Sequence, residues 1–320
     1  MRYSILVPAF NSEKTLARAL DSLSQQSFGD WEALIIDDAS TDGTAEMAEV
    51  HAARDPRFRV LRQPKNAGPA ASRNAGIEYA RGEWIALLDA DDTYLPDRLK
   101  RLAEISDRVG LDMIADNLLL YDLGADTIVG PAFAMENALS KWTIRTLCEN
   151  DGPGRHSHAG WLKPVFRKQL LTENNLRYHD TFRVGEDFLL YAELILTGCR
   201  AAILDEALYL YTTPTGAVSG QRSTSQTIVN NAPLLASSDM LIERLQQGDG
   251  GRNALLERKA RLNLSQRREP VKAEMVKLYK NRQLLALALK TIRHPAAFRD
   301  ILRPRPVFPG PEKLRALPFS

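Results

Sequence analysis

Residues 31–44 read WEALIIDDASTDGT. An unbroken apolar run stops on two aspartates, and a small polar string leads into a helical pattern over 44–53. A continuous apolar run without alternation predicts a strand buried on both faces. The same arrangement recurs on either side. Upstream, 3–7 predicts a strand and 13–26 a helix, with Leu16, Ala19, Leu20 and Leu23 at helical spacing. Downstream, 59–62 predicts a short strand. Residues 69–80 predict a helix packed through Ala70, Ala71, Ala75 and Ile77, and 84–88 a strand that ends at Asp89. Strand and helix in alternation predict a parallel sheet with crossover helices. Polar residues that follow such strands gather at the carboxyl edge, where open α/β sheets bind ligands.

Beyond Asp92 the rhythm loosens. The pattern predicts helices over 97–109, 136–148, 167–174 and 186–197, and strands over 113–120, 201–204 and 207–211. Residues 149–165 predict a loop rich in Gly, Pro and His, and 212–227 (TTPTGAVSGQRSTSQT) a mobile polar loop. From about 228 the chain reads as helical and increasingly basic. These patterns predict a catalytic region over 1–220 and a basic helical region over 221–320.

The 320 residues, 44% hydrophobic and 26% charged, have the composition of a globular protein and exclude a mostly disordered chain. No apolar run approaches the ~18 residues a spanning helix needs. The opening residues are too soon interrupted by Pro8 for a signal peptide. Two cysteines, Cys148 and Cys199, make neither a disulfide framework nor a Cys-x-x-Cys motif. A cytoplasmic protein is expected, without nucleic acid as a partner. The net charge of +2 hides a division, because residues 252–315 carry a net +12 and residues 1–251 a net −10.

Four acidic groups stand out: Asp37-Asp38, Asp89-Ala90-Asp91-Asp92, Asp116 after the next strand, and Glu186-Asp187 behind Gly185. Carboxylates crowded at a sheet edge repel one another and call for a cation or a proton among them. Carboxylate oxygens suit Mg²⁺ or Mn²⁺, ions that commonly bridge to substrate phosphates. Taken singly, such aspartates also cap strands and helices.

Taken in order, the segments VPAFN (7–11), IDDASTDGT (36–44), NAGPAASRNAG (66–76) and LLDADD (87–92) resemble the family 2 glycosyltransferases, inverting enzymes of the GT-A fold. The resemblance is dense over 1–100, continues to about 213 and fades beyond. It implies a Rossmann-like, mostly parallel sheet flanked by helices, here with a basic helical C-terminal extension. It implies that Pro8, Ala9, Asn11, Asp37 and Asp38 bind the base and ribose of a nucleotide-sugar. Asp37 would accept from uracil N3–H, which favours a UDP-sugar. Ala67, Gly68 and Arg73 match the segment that approaches the nucleotide. Asp89 and Asp91 match the metal and diphosphate motif, with Asp91 the first choice for Mn²⁺ or Mg²⁺. Asp187 matches the general base, and Glu186 would share its work or bind the acceptor. An inverting displacement needs one group to take the acceptor proton and a separate positive charge to steady the leaving diphosphate.

His156, His158 and Trp161 fall where the family lines its acceptor site, although a core Trp reads equally well. Arg222 is a lid candidate or a solvated loop arginine. The Gln-x-x-Arg-Trp motif of processive synthases is absent, which favours addition of a single sugar. The expected acceptor is a glycan or lipid-linked saccharide of bacterial surface polysaccharide. Two alternatives stay open: a nucleotidyltransferase, and a catalytically inactive sugar- or nucleotide-binding module. No Gly-x-Gly-x-x-Gly, Walker or Gly-x-Ser-x-Gly sequence supports other chemistries. In the tail, residues 271–298 carry Val271, Met275, Leu278, Leu285 and Leu289 between lysines and arginines. This basic amphipathic helix predicts contact with an anionic membrane surface, packing on the body, or a homodimer.

Overall fold

The computed structural model describes residues 1–151, 157–182, 184–213, 231–247 and 249–302. The first half alternates as expected: β1 (Tyr3–Ala9), α1 (Leu16–Ser24), β2 (Trp31–Asp37), α2 (Thr44–Arg54), β3 (Phe58–Arg62), α3 (Pro69–Tyr79) and β4 (Trp84–Leu87). Every residue of β2 is buried, which accounts for its lack of alternation. Next come β5 (Thr93–Tyr94), α4 (Arg98–Val109), β6 (Met113–Asp122), β7 (Thr127–Pro131), β8 (Leu139–Lys141) and α5 (Ile144–Glu149). They are followed by β9 (Val165–Arg167), α6 (Lys168–Glu173), α7 (Glu186–Leu196) and β10 (Ala201–Thr213). The described chain ends with α8 (Ala232–Arg244), α9 (Gly250–Lys280), α10 (Leu284–Arg293) and α11 (Pro295–Leu302).

The ten strands form one mixed sheet in the order β3-β2-β1-β4-β9-β6-β10-β5, with β7 on β6 and β8 on β10. Strands β3, β2, β1 and β4 are mutually parallel. The strand order therefore reverses at β1, and the carboxyl ends of β1, β2 and β4 open a crevice at that switch point. Strand β9 runs antiparallel between β4 and β6, and joins the parallel β6–β10 pair to the first half.

Several expectations need correction. The helix expected over 136–148 is strand β8 followed by α5, because Thr143 and Thr146 form a reciprocal capping box that starts the helix at Ile144. The expected 149–165 loop contains a short 3₁₀ turn, Ala159–Trp161, and leads into β9. The strands expected over 201–204 and 207–211 are one strand, β10, with register shifts between Leu204 and Tyr209. Residues 212 and 213 of the expected polar loop belong to β10, and its remainder lies outside the described residues. Asp116 lies inside β6, with its carboxylate on the buried Arg98 guanidinium at 2.7–3.1 Å. It is a structural partner rather than an edge group.

The boundary expected near 220 also falls outside the described residues. Beyond it, Leu241, Ile242, Ala254 and Leu255 join the main hydrophobic core. Arg258 of α9 is buried with its guanidinium carbon 3.6 Å above the Phe188 ring, and donates to Asp151 at 2.6 and 2.8 Å. The single amphipathic helix expected over 271–298 is broken. Helix α9 stops at Lys280, Arg282 takes a φ of 56°, and α10 packs back on α9. Met275 of α9 is buried, while Leu285 and Leu289 of α10 are exposed.

Candidate active site

The crevice is built from loops that leave the parallel strands. After β1, Asn11 adopts a φ of 48° and turns its side chain across to the β2 loop. Its Oδ1 accepts the Thr41 N–H at 2.9 Å, and its own N–H donates to Ser40 Oγ at 3.0 Å. The Ala9 carbonyl accepts the Asp38 N–H at 2.9 Å, so the two loops that would hold a base are tied together. Asp37 uses only Oδ1, which accepts the Ser40 N–H at 3.2 Å.

Asp38 is spent differently. Its carboxylate accepts the N–H groups of Ala67 and Gly68, both at 2.8 Å, and Gln63 Nε2 at 3.0 Å. It therefore clamps the segment that enters α3. Gly68 has a φ of 90° with open space where a Cβ would lie, so glycine serves backbone conformation there, and Pro69 then opens the helix.

One turn into α3, Arg73 points into the crevice. Its Nη2 lies 2.9 Å from Asp89 Oδ1, and its Nη1 lies 3.1 Å from Asp187 Oδ1 and 3.3 Å from Glu186 Oε1. A second cation, Lys163, completes the brace with Nζ 3.0 Å from Asp89 Oδ2 and 3.2 Å from Asp187 Oδ2. Asp89 at the end of β4 and Asp187 at the start of α7 are thus joined by two buried cations. Burial alone would raise the Asp89 carboxyl, but Lys163 and Arg73 overcome it and hold the group well below the usual carboxylate range. Burial would likewise lower Lys163, and Asp187 and Asp89 raise it well above its ordinary value. Glu186 is pushed upward by burial and by the charge of Asp187.

Lys163 escapes sequence reasoning because no acid lies near it in the chain. Two features aim it. Strand β9 wedges beside β4, and the Lys163 carbonyl accepts from Arg98 Nη2 at 2.5 Å. Gly185 directs the other side. Its φ of 82° turns the chain into α7, so Glu186 and Asp187 occupy the first turn, where the helix dipole favours anions.

Asp91 differs from Asp89. Burial, and then the charge of Asp89, push its carboxyl up to about 7. Among the described residues it has no ion-pair partner, whereas both oxygens of Asp89 are taken by cations. Asp92 is raised well above its ordinary value by burial and Asp91, and it accepts the Tyr209 hydroxyl and the Thr212 N–H, both at 2.7 Å. Among the described residues no group of three His, Cys, Asp or Glu is arranged to hold a metal. Asp91 is the acid of this group left to hold an ion, which substrate phosphates would complete, the way Mg²⁺ is commonly bound. Asp89, expected as a second ligand, has its oxygens on Arg73 and Lys163 instead.

His158 and Trp161 come together beside Lys163. Trp161 stacks on Tyr211 with centroids 5.4 Å apart and planes 10° apart, and His158 meets its edge at 4.9 Å. His156 and Arg222 lie outside the described residues.

The family model described as Glycosyl transferase family 2 matches residues 4–184. The succinoglycan biosynthesis protein ExoO of Rhizobium meliloti is 36% identical over 217 residues, which cover 68% of this chain and 62% of that protein. ExoU of the same organism is 33% identical over 234 residues, covering 69% and 64%. The chain thus spans less than two thirds of these relatives. The crystal structure of Staphylococcus aureus TarS 1–349 in complex with UDP-GlcNAc superposes with a TM-score of 0.64 at 20% identity, covering 94% of this chain and 88% of that one. The mannosyltransferase PcManGT of Pyrobaculum calidifontis, in complex with GDP-Man and Mn²⁺, gives 0.61 at 15% identity, covering 94% and 83%. These likenesses establish the fold as the GT-A arrangement expected from the sequence.

Proposed function

The chain belongs to glycosyl transferase family 2, and from that membership we propose that it moves one sugar, with inversion, from a UDP-sugar to an acceptor hydroxyl in polysaccharide biosynthesis. The succinoglycan relatives support the polysaccharide setting, and the TarS complex with UDP-GlcNAc supports the donor class. The acceptor in this reading is a lipid-linked saccharide.

The observation that carries the reading is the brace of Arg73 and Lys163 between Asp89 and Asp187. It fixes a carboxylate at the start of α7 at a set distance from the end of β4, where the donor crevice lies. Asp187 takes the acceptor proton as the new bond forms. Each of its oxygens is held by one cation and keeps a lone pair for a hydroxyl. Arg73 and Lys163 orient that carboxylate and place positive charge beside the departing diphosphate. Glu186, with one contact to Arg73 at 3.3 Å, assists from the same turn. Asp91 is the residue that would hold Mn²⁺ or Mg²⁺, which when bound supplies charge for the leaving diphosphate without a proton. The Trp161–Tyr211 stack offers an apolar face for the acceptor sugar.

The test is nucleotide release from a panel of UDP-sugars and GDP-Man, with and without acceptor, together with the anomeric configuration of the product. A β-linked product from an α-linked donor supports the reading. A retained configuration ends the inverting mechanism. Failure of every donor to release nucleotide, with UDP still stabilising the protein to heat, favours the inactive binding module. Pyrophosphate release from a nucleoside triphosphate favours the nucleotidyltransferase.

A further inference from the structure

We propose that α10, with the adjoining ends of α9 and α11, docks on an anionic lipid bilayer. Helix α10 reverses the usual arrangement of a surface helix. None of its residues is buried, and Leu284, Leu285, Leu289 and Ile292 are 65, 78, 52 and 75% exposed. Leu285, Leu289 and Ile292 are spaced i, i+4 and i+7, so they share one face. An amphipathic helix of a globular protein turns such a face inward. Here α10 packs on α9 without burying any residue of its own, and no described segment covers the leucines. Tyr279, at the end of α9 nearest the turn, is 68% exposed.

Charge selects the occupant. The apolar face ends at Ile292, and the next two residues, Arg293 and His294, line an open cavity of about 400 Å³ together with Arg267 and Arg268. A hollow with three arginines and a histidine among its lining residues, beside exposed leucines, matches a surface that offers phosphate head groups next to acyl chains. The wider distribution agrees, since residues 252–315 carry a net +12 and residues 1–251 a net −10. An anionic bilayer attracts this end and repels the acidic body, which orients the molecule. A second copy would bring two such basic ends together, which charge opposes. No helix of the described residues is long and apolar enough to cross a membrane, so the contact is a surface one.

Vesicle flotation tests this without any donor or acceptor, so its outcome is independent of the proposed transfer reaction. Phosphatidylcholine vesicles with and without phosphatidylglycerol are mixed with the full chain at low and high salt. The expected result is flotation with phosphatidylglycerol vesicles at low salt and release at high salt. The triple substitution Leu285→Ser, Leu289→Ser, Ile292→Ser should weaken binding by about tenfold or more. The pair Arg267→Gln, Arg293→Gln should cost about fivefold per cation removed. All five side chains are clear of the core, so unchanged thermal unfolding is expected, and the arginine pair serves as the test if the triple variant unfolds. No flotation of the wild type at low salt, equal binding without phosphatidylglycerol, or wild-type binding by a folded variant would overturn the proposal. A salt-insensitive dimer, made monomeric by the same substitutions in a protein that ignores vesicles, would give the face to a second copy.

Discussion

Asp187 and Asp91 are both acids of the crevice, yet their surroundings differ. Asp187 is held between Arg73 and Lys163, so its amide analogue keeps size and loses the ability to accept a proton. Asp187→Asn should leave UDP-sugar affinity near wild type and lower turnover by about 10²-fold or more. Calorimetry beside steady-state rates checks both halves, and near wild-type turnover would move the base elsewhere, first to Glu186. Among the described residues Asp91 has no cation at ion-pair distance, and burial and the charge of Asp89 outweigh the pull of Lys163 and Arg18. Asp91→Ala should remove any gain in UDP affinity that Mn²⁺ gives the wild type. An identical Mn²⁺ response in variant and wild type would take Asp91 out of the metal site.

At the scale of elements, two backbone features set the site. Gly185 holds a φ of 82° at the entrance to α7, and a Cβ there would meet Leu234 Cδ2 at 2.5 Å. Gly185→Ala should therefore cost about 1–2 kcal/mol in the left-handed conformation alone, measurable as a lowered denaturant midpoint. It should also reduce turnover more than donor affinity, because the displaced residues are Glu186 and Asp187. Glu32 secures β2 against β1 and β3. Burial works to raise its carboxyl, but the Arg81 N–H, the Ser4 hydroxyl and the Arg59 guanidinium together hold it below its ordinary 4.5. A carboxyl depressed in the folded state adds stability above its unfolded value and loses it as pH falls through the folded value. Glu32→Gln should thus flatten the acid side of the stability profile below about pH 4.5 and lower stability at neutral pH. A parallel acid limb in variant and wild type would refute this. The β1 to β4 half was legible because each strand is a short buried run followed by polar residues. Strand β9 was not, since Val165–Arg167 is three residues after a Gly, Pro and His string. With β9 unseen, Lys163 had no visible route to Asp89. The break at Arg282 was hidden for a related reason, because the 271–298 periodicity continues through a turn that carries no glycine or proline.

For the whole molecule, the basic C-terminal region cannot be removed cleanly. Arg258 reaches from α9 into the core, covers Phe188 next to Asp187 and neutralises Asp151. Truncation after residue 249 should strand that buried carboxylate, costing about 3–5 kcal/mol, and impair turnover as well as any surface binding. A truncated chain with wild-type unfolding and turnover would show the helices to be an independent appendage. Helix α9 also has a metric meaning. It is 31 residues long, with Arg258 locked against Phe188 of α7 near one end and the turn to α10 at the other. From Arg258 to Lys280 the helix rises about 33 Å, with Pro270 inside it. It therefore acts as a ruler that fixes the standoff between the basic, leucine-bearing end and the crevice. An acceptor tethered at that end must present its hydroxyl at a height the ruler dictates. If the proposed surface docking and a tethered acceptor both hold, acceptor length, rather than chemistry alone, would be a property for which this chain selects.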